Sequence, residues 1–186
     1  MLKIKYKEEV YEIKNSPNEL LLKDFEYVTN IFNDKEKQHF EKWSEIFVYL
    51  GLPESVVDDF DTFAFIDIIK EFNILNKSNN DIIKEFTIDN ETYIAYSEEF
   101  RLTVKEMSLI ESYINKNDKR YLGEVMAIIY KVPGADKTIN FDKAHIHHKA
   151  ELFRKSLTAD KVIPIISFLS KKLVKDYEFI QEQNTI

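Results

Sequence analysis

The chain has 186 residues, of which 44% are hydrophobic and 32% are charged, and its formal net charge is −7 at pH 7. This composition is typical of folded globular proteins and excludes a disordered chain. The acidic charge disfavours nucleic-acid binding, sequence-specific binding included, because phosphate contacts need a basic surface. The absence of cysteine excludes disulfides, thiolate catalysis and cysteine-ligated zinc.

The first segment of the chain is predicted to form a β-hairpin. Leu2, Ile4 and Tyr6 alternate with lysines, and after a polar break Tyr11 and Ile13 resume the alternation. This start lacks the apolar stretch of a signal peptide, and no segment approaches the roughly 18 apolar residues of a membrane span. We therefore expect a protein that is neither secreted nor membrane-spanning.

Three helices are predicted after this hairpin. Helical spacing of apolar residues predicts the first over 20–32, and a short apolar helix follows over 43–53, ending at a proline. The third is predicted over 55–75, and we expect its aromatic side chains to lie in the core; they are Phe60, Phe63, Phe65 and Phe72. The acidic run at its start is expected to cap it rather than to bind calcium or act in catalysis; it comprises Asp58, Asp59 and Asp61.

The second half of the chain repeats this order 82 residues later. Within residues 4–33, 13 positions are apolar, and 11 of their equivalents are apolar again. A composition of 44% would give about six by chance. Tyr11 recurs as Tyr93 and Lys23 as Lys105. The pattern predicts a tandem duplication of one hairpin-and-helix unit.

Helix starts and later segments are consistent with this repeat. Thr103 and Glu106 have the spacing of a capping box, and Asn18 and Asp24 are expected to cap the corresponding helix of the first copy. Further helices are predicted in the second copy, over 123–133, 142–155 and 158–180.

The predicted fold class is α+β and mostly helical, with two tandem β-hairpin plus helix-bundle repeats related by a pseudo-two-fold axis. Residues 1–77 form the first repeat, with about three helices, and residues 78–180 form the second, with three to four. Residues 181–186 are expected to be a frayed tail. The pattern leaves open whether the two hairpins share one sheet.

No motif in the sequence predicts catalysis. The patterns GxSxG, HExxH and GxGxxG are absent, and the turn at Pro133 and Gly134 lacks the spacing of a phosphate-binding loop. We therefore predict that the chain has no catalytic residue, binds no cofactor and is not an enzyme.

A histidine cluster provides the one candidate for metal binding. On a helix, His147 and His148 would each share a face with Glu151, and His145 lies one turn earlier. No third or fourth ligand is evident, and an exposed polar helix face or a pH-sensitive contact gives the same pattern. We therefore predict no metal, and we keep a metal-binding enzyme or sensor as an alternative.

Two stretches of the sequence resemble those of known proteins. KIKYKEEVYEI followed by NELLLKDFEYV resembles the hairpin-and-helix start of small tailed-phage proteins. LTVKEMSLIESYINKNDKRYLGEVMAIIYKVPG resembles virion-associated or tail-assembly proteins of phages of gut bacteria, crAss-like phages among them.

This resemblance implies a structural or tail/neck assembly protein that acts by protein–protein contact without catalysis. Its expected partners are other phage structural proteins of the tail, neck or portal region. Its expected location is the virion, after synthesis in the host cytoplasm. A transient tail-assembly chaperone and a host-encoded adaptor are alternatives, and the oligomeric state stays open. The side chains we expect to pack the core are Tyr11, Phe25, Trp43, Tyr93 and Met107.

Overall fold

The computed structural model describes residues 1–72, 82–95, 102–115, 121–135 and 141–169. In this part the chain is α+β and mostly helical. The strands are β1 (Leu2–Tyr6), β2 (Glu9–Ile13), β3 (Glu85–Ile88), β4 (Glu91–Ala95) and β5 (Tyr130–Lys131). The helices are α1 (Leu22–Asn33), α2 (His39–Tyr49), α3 (Glu54–Asp58), α4 (Thr62–Glu71), α5 (Val104–Asn115), α6 (Leu122–Ile129), α7 (Lys143–Ser156) and α8 (159–169).

The strands form two antiparallel sheets. β1 pairs with β2, so that Ile4 lies opposite Tyr11. In the second sheet the order is β3–β4–β5, and Phe86 lies opposite Tyr93. Both predicted hairpins are therefore confirmed. In the described part of the chain they lie in separate sheets, which answers the question that the sequence left open.

Strand β5 departs from the sequence prediction. The predicted helix over 123–133 ends at Ile129, and the next two residues are extended and pair with β4, with Tyr130 opposite Ala95. The phenol of Tyr130 is fully buried and donates a hydrogen bond to the carbonyl of Ile83 at 2.6 Å. Aromatic and β-branched residues just before Pro133 favour extended backbone, which explains the early end of the helix.

The long helix predicted over 55–75 is two helices, α3 and α4, separated at residues 59–61. Asp61 caps α4, because its carboxylate accepts hydrogen bonds from the backbone N–H groups of Phe63 and Ala64. The side chain of Phe63 is 81% exposed, so its predicted place in the core is wrong, whereas Phe65 is buried. The helix packs on the core along one face only.

Helix α6 lies at the centre of the second half. All eight of its residues are buried, and Glu124 is the one charged residue among them. It packs along α7 and also contacts α1 and α5. On α7, Ile146, Ala150 and Phe153 are fully buried, so this helix presents an apolar stripe to the core.

A backbone hydrogen bond, rather than a side-chain cap, stabilises the N-terminus of α1. The N–H of Leu22 donates to the carbonyl of Leu157 at 2.7 Å, and Leu21 forms a β-bridge with Thr158. The prediction that Asn18 and Asp24 cap this helix is therefore wrong. A carbonyl from the other half of the chain already satisfies the N-terminal donor.

Equivalent elements occur at the predicted interval. β4 and α5 begin and end 82 residues after β2 and α1. The capping box at the start of α5 is confirmed, since the N–H of Thr103 donates to Glu106 at 2.7 Å and the N–H of Glu106 donates to the Thr103 hydroxyl at 3.3 Å. The predicted boundary between repeats, at 77/78, and the predicted tail, 181–186, lie outside the described residues.

Candidate functional site

A groove of 460 Å³ lies between helices α1, α2 and α3, and we call it the tyrosine groove. Gly51 has a φ of +117°, a conformation that favours glycine, and it ends the turn after α2. The chain then passes Pro53 and folds α3 back against α2. The groove is lined by Tyr27, Glu41, Ser44, Glu45, Val48, Tyr49, Glu54, Val57 and Asp58.

Two stacked phenol rings form one wall of this groove. The ring centroids of Tyr27 and Tyr49 are 3.8 Å apart, and the ring planes differ by 20°. Tyr27, Val48 and Tyr49 are each more than a third exposed. Aromatic rings in partly exposed clusters are typical of protein-binding surfaces.

Hydrogen bonds to acids fix the orientation of both rings. The Tyr27 hydroxyl donates to Glu45 at 3.1 Å, and the Tyr49 hydroxyl donates to Asp24 at 2.9 Å. Burial and the bond to Glu45 raise the pKa of Tyr27, and burial and the bond to Asp24 raise the pKa of Tyr49 to about 12. Both phenols therefore stay protonated at neutral pH, and one face of each ring packs on the other ring.

Four carboxylates line the groove together with the rings. Glu41 and Glu45 lie one turn apart on α2, and Glu54 and Asp58 lie one turn apart on α3. Glu45 pairs with Lys37, whereas Glu54 and Asp58 have no ion pair among the described residues. Like charges at this spacing destabilise a helix by about 0.2–0.5 kcal/mol per pair. Asp58 also lies at the C-terminus of α3, where negative charge is unfavourable.

A second group of charges lies between the two halves of the chain, and we call it the arginine cluster. It comprises Arg154, Glu26 and Glu124, which are buried, and Glu151, which is partly exposed. Arg154 is 3% exposed and donates through Nε to Glu26 Oε2 at 2.7 Å. It also pairs with Glu124 and with Glu151. Burial disfavours its charge, but the hydrogen bonds to Glu26 and Glu124 outweigh this effect and raise the pKa of the guanidinium.

Both carboxylate oxygens of Glu26 accept hydrogen bonds within the arginine cluster. Its Oε1 accepts from the backbone N–H of Gly123 at 2.9 Å, while Oε2 accepts from Arg154. A side chain at position 123 would collide with the guanidinium, because an added Cβ would lie 2.8 Å from its Cζ. The cluster therefore connects α1, α6 and α7, and its geometry is that of a structural contact rather than of a binding site.

A buried amine lies near the second sheet. Lys149 is 4% exposed and donates to the carbonyl of Tyr130 at 3.0 Å. Burial and the neighbouring charge of Lys131 lower its pKa to about 8. Lys131 itself pairs with Glu106, and this pair and the bonds from Thr103 outweigh the effect of burial and lower the pKa of Glu106. Lys149 does not line the tyrosine groove.

The structure does not bring the candidate metal ligands together. His147 lies 3.4 Å from Glu124 through Nδ1, whereas Glu151 pairs with Arg154 at 2.8 Å. His148 is exposed, and burial lowers the pKa of His145. Among the described residues, no three His, Asp or Glu side chains are placed to hold a metal ion.

The acidic run is divided among three roles. Asp61 caps α4, as predicted. Asp59 accepts hydrogen bonds from Tyr6 and Lys7, and so it ties the first hairpin to the turn after α3. Asp58 lines the tyrosine groove. Only the first of these roles has a local sequence signal.

The predicted core residues differ in how deeply they lie. Phe25, Trp43 and Tyr93 are buried, with exposed fractions of 4%, 9% and 2%. Tyr11 and Met107 are only partly buried, so their expected place in the core is correct in part. Sequence reasoning did not predict the tyrosine groove. The one available signal was the acidic spacing on α2 and α3, since no local pattern indicates the stack between Tyr27 and Tyr49.

The fold and the groove define an α+β protein with an acidic, tyrosine-lined surface site. No protein-family model, no curated protein and no solved structure matches the chain. In the part of the chain that the structure describes, no helix is both long enough and apolar enough to cross a bilayer.

Proposed function

We propose that this chain is a structural or assembly protein of a tailed phage that acts by docking onto other proteins and not by catalysis. The observation that carries the docking function is the tyrosine groove. It combines exposed aromatic rings held in fixed orientations with four carboxylates, of which Glu54 and Asp58 have no ion pair among the described residues. The phage setting comes from the sequence resemblance alone.

Two features of the groove favour docking over a purely structural role. Exposed tyrosines bury a large area on binding at a small cost in side-chain entropy, particularly when hydrogen bonds already hold them. The two acids of each pair on α2 and α3 repel each other slightly, and a partner of opposite charge removes that repulsion.

We also propose that the chain arose by duplication of one hairpin-and-helix unit. β2 and β4 have equal lengths, as do α1 and α5, and each pair is offset by 82 residues. The hydroxyl of Tyr11 donates to Glu9, and that of Tyr93 donates to Glu91. Asp24 and Glu106 are equivalent buried acids, and each pairs with a lysine. Superposition of residues 2–13 and 22–33 on 84–95 and 104–115 in an experimental structure tests this proposal.

Particle fractionation tests the docking function. Mature particles and assembly intermediates from producing cells are separated on a density gradient, and the chain is quantified by mass spectrometry against the major tail protein. We expect a fixed stoichiometry in mature particles. If the chain occurs in intermediates but not in mature particles, it is a transient tail-assembly chaperone. If it bands with neither, the proposed function is wrong.

The metal-binding alternative predicts a different result. It requires that His147, His148 and Glu151 act together, but Glu151 is paired with Arg154. Metal analysis of the untagged protein, with His148→Ala as the control, separates this alternative from docking. Stoichiometric zinc that is lost in the variant would favour the metal site.

A further inference from the structure

We infer that the tyrosine groove binds an arginine-bearing segment of the partner protein. This inference rests on the proposed docking function and names the chemistry of the partner. A positively charged, planar side chain fits the groove, because the groove joins aromatic faces to carboxylates within one open volume of 460 Å³.

The carboxylates determine the sign of the partner's charge. Glu41, Glu45, Glu54 and Asp58 line the groove, and among the described residues only Lys37 pairs with one of them. A phosphate-bearing partner would be repelled by this surface. A purely apolar helix would strip water from the carboxylates without giving them a counter-charge. A cationic segment satisfies them.

The rings favour arginine over lysine. A guanidinium is planar and weakly hydrated, so it stacks on an aromatic face while its N–H groups reach carboxylates on either side. The hydroxyls of Tyr27 and Tyr49 are engaged by Glu45 and Asp24, and the two rings stack on each other, which leaves the outer ring faces as the available contact. An ammonium group forms the charge contact but loses the stacking.

The acids of α3 are the most readily neutralised. Glu54 and Asp58 have no ion pair within the described part of the chain, whereas Glu45 is shared between Lys37 and Tyr27. We therefore expect the partner's arginine to lie between α3 and the stacked rings, and removal of the two α3 charges to have the largest effect on binding.

The test is a peptide titration on the full chain. The probe is a capped, dye-labelled heptapeptide in which three arginines alternate with serine and leucine, and binding is read by fluorescence anisotropy at physiological salt. Two further peptides replace every arginine, one by lysine and one by the neutral isostere citrulline. We expect saturable binding of the arginine peptide, weaker binding of the lysine peptide and none of the citrulline peptide.

Matched variants locate the site. Glu54→Gln with Asp58→Asn should weaken binding of the arginine peptide by about tenfold, the loss typical of charge contacts in an interface. Glu85→Gln with Glu111→Gln removes the same charge from β3 and α5 and should change affinity less than about twofold, since neither side chain lines the groove. Tyr27→Leu should weaken binding, whereas Tyr27→Phe should retain most of it.

The contradicting outcomes are distinct. Equal losses in the two double variants would mean that the peptide responds to the overall negative charge, and the inference would be wrong. Equal affinity for lysine and arginine, or no effect of Tyr27→Leu, would exclude stacking and contradict it as well. If the chain self-associates and the groove variants dissociate it, the occupant is a second copy, which also overturns the inference.

The peptide titration and the particle fractionation test separate claims, so either can give a negative result without the other. If the chain bands with particles but the arginine peptide does not bind, docking stands and the inferred chemistry is wrong. If the peptide binds in the groove but the chain never bands with particles or intermediates, the proposed function is wrong.

Discussion

Arg154 on α7 donates to Glu26 on α1 across 128 residues of sequence, and both side chains are almost fully buried. Removal of one partner from a buried ion pair leaves the other charge without compensation, which typically costs about 3–5 kcal/mol. We expect Arg154→Met to lower the free energy of unfolding by about this amount in urea denaturation.

Two controls make this prediction specific. Glu151→Gln removes a partly exposed partner of the same arginine and should cost less than about 1 kcal/mol. Glu26→Gln combined with Arg154→Met should be more stable than the sum of the single changes, because no unpaired charge remains at position 26. Strict additivity would show that the two side chains do not interact.

Gly123 is the position at which a single methyl group should disturb the arginine cluster. An added Cβ would lie 2.8 Å from Cζ of Arg154, and that guanidinium is held by Glu26 and Glu124. Gly123→Ala should therefore destabilise the chain by about 1–3 kcal/mol, as overpacking does.

Whether Gly123→Ala lowers or raises the free energy of unfolding should depend on the side chain at position 154. In an Arg154→Ala background the obstruction is absent, and the higher helix propensity of alanine should make Gly123→Ala neutral or stabilising. Urea denaturation of the four proteins measures the difference. An equal loss in both backgrounds would contradict the assigned contact.

The buried amine of Lys149 should make the free energy of unfolding depend on pH. Burial and the charge of Lys131 lower its pKa to about 8, against 10.5 ordinarily. Between these values the unfolded chain binds more protons than the folded chain, so stability should rise as the pH rises. The full gain is about 3 kcal/mol, since each pKa unit corresponds to about 1.4 kcal/mol.

Urea denaturation at pH 7.5, 8.5 and 9.5 tests this prediction, with Lys149→Met as the matched variant. The unmodified chain should gain stability across the series, and the variant should gain much less. Raised pKa values at Tyr49, Tyr93 and Tyr130 act in the opposite direction only above about pH 10. The same slope in both proteins would show that Lys149 is not responsible.

Lys7 occupies a turn position that suits glycine. Its φ is +53°, and left-handed backbone is unfavourable for residues with a Cβ. Its ion pair with Asp59, at 3.2 Å between exposed side chains, contributes little. Lys7→Gly should raise the free energy of unfolding by about 0.5 kcal/mol or more.

Glu8 provides the control for this turn, because its φ is not positive. Glu8→Gly should lower stability, since glycine adds freedom only to the unfolded chain there. A thermal melt of the two variants compares them directly. Stabilisation by both changes would refute the backbone explanation.

Local patterns predicted the local parts of this fold. Alternation located the first hairpin, the 82-residue repeat located the second, and the capping box at Thr103 and Glu106 located the start of α5. The end of α6 could not be predicted, because the pairing of Tyr130 with Ala95 depends on a strand 35 residues away. Phe63 was misplaced because its apolar character says nothing about which face of α4 packs.

The candidate site was beyond sequence reasoning for a related reason. The tyrosine groove depends on α1, α2 and α3 meeting, and its two rings come from different helices. The arginine cluster likewise joins side chains from three helices. No spacing rule relates residues that only tertiary packing brings together, whereas the histidine cluster drew attention because its members are adjacent in sequence.

The most direct test of the docking account is photo-crosslinking at Val48, which lines the tyrosine groove and is 37% exposed. A photoreactive phenylalanine analogue is placed there in producing cells, and the same analogue at Val10, on the exposed side of β2, is the control. We predict one dominant adduct from position 48, to a particle protein and through a peptide that contains arginine. No adduct at position 48, or the same adducts from both positions, would contradict the account.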